Sequence, residues 1–130
     1  LMEFNIEIGK TFETIKKVEP RDSAQAHGSG SLEVFATPAM IALMEHCSMM
    51  CIADSLPEGW GSVGVEVCVQ HLKASPIGAQ IRCRAAVTET DGRKVFFSVE
   101  AFEEEVLIGS GAHTRFIINN QKFMEKMQKM

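Results

Sequence analysis

The sequence predicts an α+β domain in which one antiparallel sheet of about five strands wraps around one long central helix. Three observations carry that expectation. An apolar stretch from Thr37 to about Ser55 suits a central helix, four segments beyond residue 60 alternate with the period of strands, and a partly alternating segment precedes the helix. The 130 residues, 45% of them hydrophobic, supply one core and not two, so residues 1 to 130 are expected to form a single domain.

Taken in order, residues 10 to 18 (Lys-Thr-Phe-Glu-Thr-Ile-Lys-Lys-Val) read as an edge strand entering the fold. From Asp22 to Ser31 the chain is polar and glycine-rich, a loop of the kind that is mobile and often lies over a site. Thr37-Pro38 gives two helix-start signals, a side-chain oxygen at the N-cap and a proline at the first helical position. Leu56-Pro57-Glu58-Gly59-Trp60-Gly61 ends the helix. Valines then fall at 63, 65, 67 and 69, a period of two continued by His71, and that face is expected to pack on the helix. After a turn at residues 74 to 78, residues 79 to 88 alternate again, and Asp91-Gly92 reads as a hairpin turn. Residues 94 to 102 and 106 to 118 give two further strands around a Glu103-Glu104-Glu105 turn, and residues 120 to 130 have helical spacing with lysines outward. The final strand is expected to keep an open edge, which self-pairing into a dimer would cover.

The formal charge of -4, with basic residues scattered, disfavours nucleic acid and anionic lipid as partners. No basic segment leads into an apolar one, and the longest apolar run is broken at Glu45-His46, so no membrane span is expected and the chain reads as soluble and cytoplasmic. Leu1, ahead of Met2, reads as a cloning remnant. Cys47, Cys51, Cys68 and Cys83 form no CxxC and sit in apolar segments, where free thiols act as small hydrophobes. A metal site at Cys47 and Cys51 is disfavoured, because helical geometry points His46 away from them and no second ligand pair follows.

Glu45 interrupts the most apolar stretch of the chain, where a buried charge would carry a large desolvation cost unless paired. Helical side chains lean toward the N-terminus, so its carboxylate is expected to reach back toward Thr37, leaving a gap about the size of a small acyl group. His71 ends the valine face that should meet the helix. A hydroxyl, a carboxylate and an imidazole would then converge near a helix N-terminus, whose amides favour a developing oxyanion. Each residue also has a purely structural reading: Thr37 as an N-cap, Glu45 at the helix's wet edge, His71 as a hydrogen-bonded strand end.

Val34-Phe35-Ala36-Thr37, Met40, Leu43-Met44-Glu45, the strand from Ser62-Val63-Gly64 to Cys68-Val69-Gln70-His71, and Ile108-Gly109-Ser110-Gly111-Ala112-His113-Thr114-Arg115 resemble the fluoroacetyl-CoA thioesterase branch of the hotdog-fold thioesterases. The resemblance covers nearly all of the chain from about residue 33. It implies the hotdog fold, a homodimer or a dimer of dimers with two sites at the interface, and an acyl-CoA substrate whose coenzyme A enters from the surface, with no other cofactor and no metal. It also implies Thr37, Glu45 and His71 as the catalytic set, with Gly64 and Arg115 near the acyl pocket. Two departures stand out. The aromatic lid positions of the namesake correspond to Gly28 and Ser31, which implies a different and larger acyl group. Pro38 replaces a glycine and has no amide hydrogen, so an oxyanion-donor role passes to Ala39 or beyond.

The expected reaction is thioester hydrolysis, with Glu45 as nucleophile or general base, His71 as proton shuttle and Thr37 orienting the reacting groups. A glutamate on the helix and a histidine on the sheet also resemble the pair of hotdog 3-hydroxyacyl-thioester dehydratases and hydratases. A non-catalytic acyl-CoA-binding module is the third reading.

Overall fold

The computed structural model describes residues 4 to 129, and Leu1, Met2, Glu3 and Met130 lie outside them. The chain runs through strand β1 (Thr11–Lys17), a 3-10 turn (Pro20–Asp22), helix α1 (Ala24–His27), helix α2 (Thr37–Ala53), strands β2 (Trp60–His71), β3 (Gln80–Asp91), β4 (Lys94–Glu103) and β5 (Val106–Asn119), and helix α3 (Asn120–Gln128). The five strands form one antiparallel sheet in the order β1-β3-β4-β5-β2. One sheet around one helix is therefore the observed architecture, but the open edge is not where the sequence put it. The last strand, β5, lies between β4 and β2, and β2 is the edge opposite β1. Alternation marks a strand without naming its neighbour, because pairing partners are chosen by long-range packing.

Helix α2 buries Ala39, Met40, Leu43, Met44, Cys47, Ser48, Cys51 and Ile52, a stripe at three- and four-residue spacing. The stripe meets the inward residues of β3 (Ile81, Cys83, Ala85, Val87) and β4 (Val95, Phe97, Val99, Ala101) in one core. Each fully buried large side chain there, Ile81 or Phe97 for example, contributes about 1.5–3 kcal/mol. Ser48 is buried without penalty because its hydroxyl donates to the Met44 carbonyl at 2.8 Å.

The segment read as a mobile loop is instead largely structured. Ser23 caps α1 by accepting from the Ala26 amide, and the chain is pinned by bonds from Ala24 N to Val34 O and from Ala36 N to Asp22 O. The helix start differs too. Ala36 is the N-cap of α2, Thr37 is already the first helical residue, and no side chain caps the helix. The valine face is broken as well, because a β-bulge at Val65 shifts the register between Gly64 and Glu66. Ser62 and Gly64 before the bulge share the inward face with Val67, Val69 and His71 after it, while Val63 turns outward. Both tight turns stand as read, with Gly92 at φ 61° and Glu104 at φ 54°. Cys47, Cys51 and Cys83 are buried like small hydrophobes, but Cys68 is exposed on the edge strand. Among the described residues, no helix is long and apolar enough to cross a membrane.

Candidate active site

Two groups of side chains stand out, both on elements that touch α2. The first lies at the start of the helix. Because Thr37 does not cap α2, its hydroxyl is free for another partner, and Oγ1 lies 2.8 Å from Nδ1 of His71 at the end of β2. Phe35, buried just before the helix, presents its ring edge-on to the imidazole at 6.3 Å. The other ring nitrogen, Nε2, is shielded from solvent and has no hydrogen-bond partner among the described residues. Burial pulls the His71 pKa below the ordinary histidine value, so the ring is neutral at pH 7. A neutral imidazole has one donor and one acceptor nitrogen, the state a proton relay requires.

This pair borders a cavity of about 310 Å³, whose remaining walls include Ala24 and Ser29 from the α1 region and Lys73 just beyond β2. The polar segment before the helix thus supplies an ordered wall of this cavity. Gly28 closes α1 in the left-handed conformation, with open space where a side chain would stand.

The second group lies two turns along the helix. The Glu45 side chain is 40% exposed and leans on the sheet at Gly64, where an added Cβ would stand 2.5 Å from Oε2. A glycine is required there for the carboxylate to approach the sheet. Arg115, directly across from Gly64 on β5, faces the same carboxylate with Nη1 at 3.8 Å. Its guanidinium also donates from Nε to Ser62 Oγ and from Nη2 to the Ser62 carbonyl, both at 2.8 Å. Burial pulls the Arg115 pKa down while Glu45 opposes the shift. Arginine's high starting value keeps it charged, so Glu45 sits beside a fixed cation.

The sequence-predicted residues are thus brought together in part. Thr37 joins His71, and Glu45 joins Gly64 and Arg115, but among the described residues no hydrogen bond or ion pair links the two groups. The expected convergence of all three catalytic candidates is not made by direct contacts. Ala39 stands apart, its side chain lining a second cavity with Lys16, Arg21, Asp22 and His27 on another face of α2. Ser62 and His113 escaped the sequence reading as site residues. The available signal was the alternation of β5, which puts His113 and Arg115 on one face of an interior strand among buried apolar positions.

Comparison with known proteins agrees with this architecture. The sequence profile of the fluoroacetyl-CoA-specific thioesterase (FlK) family matches residues 18–121. A fluoroacetyl-CoA thioesterase from Streptantibioticus cattleyicolor is 37% identical over 97 residues, which is 75% of this chain and 70% of that protein. A solved structure of the fluoroacetyl-CoA thioesterase FlK superposes with a TM-score of 0.90 at 30% identity, covering 96% of this chain and 97% of that one. A thioesterase-superfamily member from Thermus thermophilus gives a TM-score of 0.88 at 28% identity, covering 95% and 92%. The sheet and its central helix are therefore those of the hotdog thioesterases. Within that class, the chain belongs to the fluoroacetyl-CoA-specific thioesterase family.

Proposed function

We propose that this acyl-CoA thioesterase cleaves its substrate to free acid and coenzyme A with Glu45, His71 and Thr37 as the reacting set. The observation that carries the assignment is the Thr37–His71 hydrogen bond at the wall of the 310 Å³ cavity. It supplies a neutral, oriented imidazole beside a space able to hold an acyl thioester. Glu45, held against Gly64, either attacks the carbonyl carbon to give an anhydride that water opens, or takes the proton of an attacking water. In both routes the C–S bond breaks, coenzyme A leaves as thiolate, and His71 moves the proton that the thiolate collects. Gly64 and Arg115 shape and polarise the space around the carboxylate. Ala39 contributes through its main-chain amide in the first turn of α2, where Pro38 has none to offer.

The acyl group is larger than the fluoroacetyl group of the named relatives, a reading supported by the small residues Gly28 and Ser31 at the lid positions. The working unit is a homodimer paired along β2. That edge has no neighbour among the described residues and exposes Val65 and Val67, 54% and 39% accessible, a surface that needs cover. A cytoplasmic setting suits the four free thiols.

The test is thiol release from short, branched, aromatic and long acyl-CoA substrates, with Glu45→Ala as the blank. Release that disappears in the variant supports the assignment and identifies the acyl class. Undiminished release by Glu45→Ala on the best substrate removes Glu45 from the mechanism.

A further inference from the structure

The inward face of β5 runs Gly109, Gly111, His113, Arg115, Ile117, placing two basic side chains in the interior of the sheet. A buried guanidinium needs partners for its fork of N–H groups. Two of its donors go to Ser62, as described above. The hydrogens on Nη1 face two further groups, Nε2 of His113 at 3.2 Å and Oε2 of Glu45 at 3.8 Å.

Nε2 of His113 accepts from Arg115 only if the ring proton is on Nδ1. That condition is met, because Nδ1 lies 2.7 Å from the main-chain oxygen of Glu66, which accepts and cannot donate. The ring plane is set independently, since Phe97 stacks on it at 6.2 Å with planes 27° apart. Tautomer and orientation are thus both fixed, by β2 and β4.

We infer that His113 is a positioning residue, whose Nε2 lone pair holds the Arg115 guanidinium so that Nη1 presents its other hydrogen to Glu45. The inference rests on the reading of Glu45 as the reacting carboxylate. His113 itself touches no substrate. Protonation would replace the lone pair with an N–H directed at another N–H and set a second cation beside Arg115. Burial, with Arg115 adding to it, lowers the His113 pKa, while the Glu66 carbonyl and Glu45 oppose the shift. The groups around the ring are therefore Arg115 on its own strand, the Glu66 carbonyl from β2, Phe97 from β4 and Glu45 from α2.

The test compares kcat, KM and melting temperature for wild type, His113→Phe, His113→Gln, Arg115→Gln and the His113→Phe/Arg115→Gln double variant, with Glu45→Gln as reference. His113→Phe keeps a ring against Phe97 but has no lone pair, and it should lower kcat on the order of ten- to a hundredfold with KM nearly unchanged. His113→Gln has an amide oxygen able to accept from Arg115, and it should recover most of that loss although its packing is poorer. A residue that merely fills space gives the reverse ranking. The double variant should turn over no more slowly than Arg115→Gln alone. Wild-type kcat in His113→Phe, or a double variant slower by the full single-variant factor, overturns the inference.

Should His113→Phe not fold, nitrogen NMR of the wild-type imidazole at pH 7 decides instead: the Nδ1–H tautomer supports the inference, and the Nε2–H tautomer or an imidazolium overturns it. Full activity in Glu45→Gln identifies failure of the carboxylate assignment, whereas loss there with no effect at His113 identifies failure of the positioning role.

Discussion

The two clusters on α2 are built in opposite ways. Thr37 and His71 share one hydrogen bond at a cavity wall, and the far nitrogen of the imidazole has no partner among the described residues. Two turns on, Arg115 is tied down on three sides by Ser62, His113 and Glu45, deep in the sheet. The first group keeps a valence free for chemistry, and the second spends its valences on rigidity. The proposed hydrolysis uses both, since a relay must exchange protons while the charge around the carboxylate proposed to react stays fixed.

The sharpest way to break this contrast is to change the carboxylate on which it depends. Glu45→Gln keeps the shape and removes the proposed base or nucleophile, and it should lower kcat on the order of 10²- to 10⁴-fold in single-turnover thiol release. His71→Asn should fall in the same range, because no other described group bonds the Thr37 hydroxyl. Thr37→Ala removes one oriented hydrogen bond, about 1 to 1.5 kcal/mol, so the expected loss is roughly five- to tenfold, and Thr37→Ser should stay near wild type. A Thr37→Ala enzyme as slow as His71→Asn would show that the hydroxyl does more than orient the ring.

A pair of glycines sharpens the comparison further. A Cβ at Gly64 would meet chiefly the mobile end of Glu45 at 2.5 Å and crowd the His113 ring at 3.1 Å, whereas one at Gly111 would run into the main chain of Cys68 and Val69 on the neighbouring strand. Gly64→Ala should therefore cost activity, on the order of tenfold or more through displacement of the carboxylate, with little change in melting temperature. Gly111→Ala should instead cost stability, about 1–3 kcal/mol, because a strand backbone has to move. Equal effects of the two substitutions on stability would mean that Glu45 and the His113 ring are not free to yield.

Much of this design is written in local pattern. Ile81, Cys83, Ala85 and Val87 alternate in the sequence and are buried in the fold, and Asp91-Gly92 turns the chain where the residue types demand it. What escaped is non-local. Nothing near Thr37 distinguishes an N-cap from a partner for a histidine 34 residues away, since both uses need the same hydroxyl. The bulge at Val65 is silent in a run of valines and still reverses the face of every residue beyond it. His113 and Arg115 could be assigned to one face by alternation, but whether that face met the helix depended on the neighbouring strands.

The smallest expected effect concerns protons rather than rate. His71 and His113 belong to different clusters, but burial lowers the pKa of both. In the unfolded chain each titrates near 6.5, so unfolding takes up protons as the pH falls below neutrality, and the folded state loses stability from about pH 6.5 down to the folded pKa values. The loss is read as a melting temperature that falls as the pH is lowered. His113→Gln removes one of the two titrations and should flatten the fall in melting temperature between pH 7 and pH 5, though the variant starts from a lower value. His71→Asn should flatten it independently, because the two rings share no hydrogen-bond partner among the described residues. If either substitution alone abolished the slope, the clusters would titrate as one unit, and the division between a free relay and a fixed frame would have to be given up.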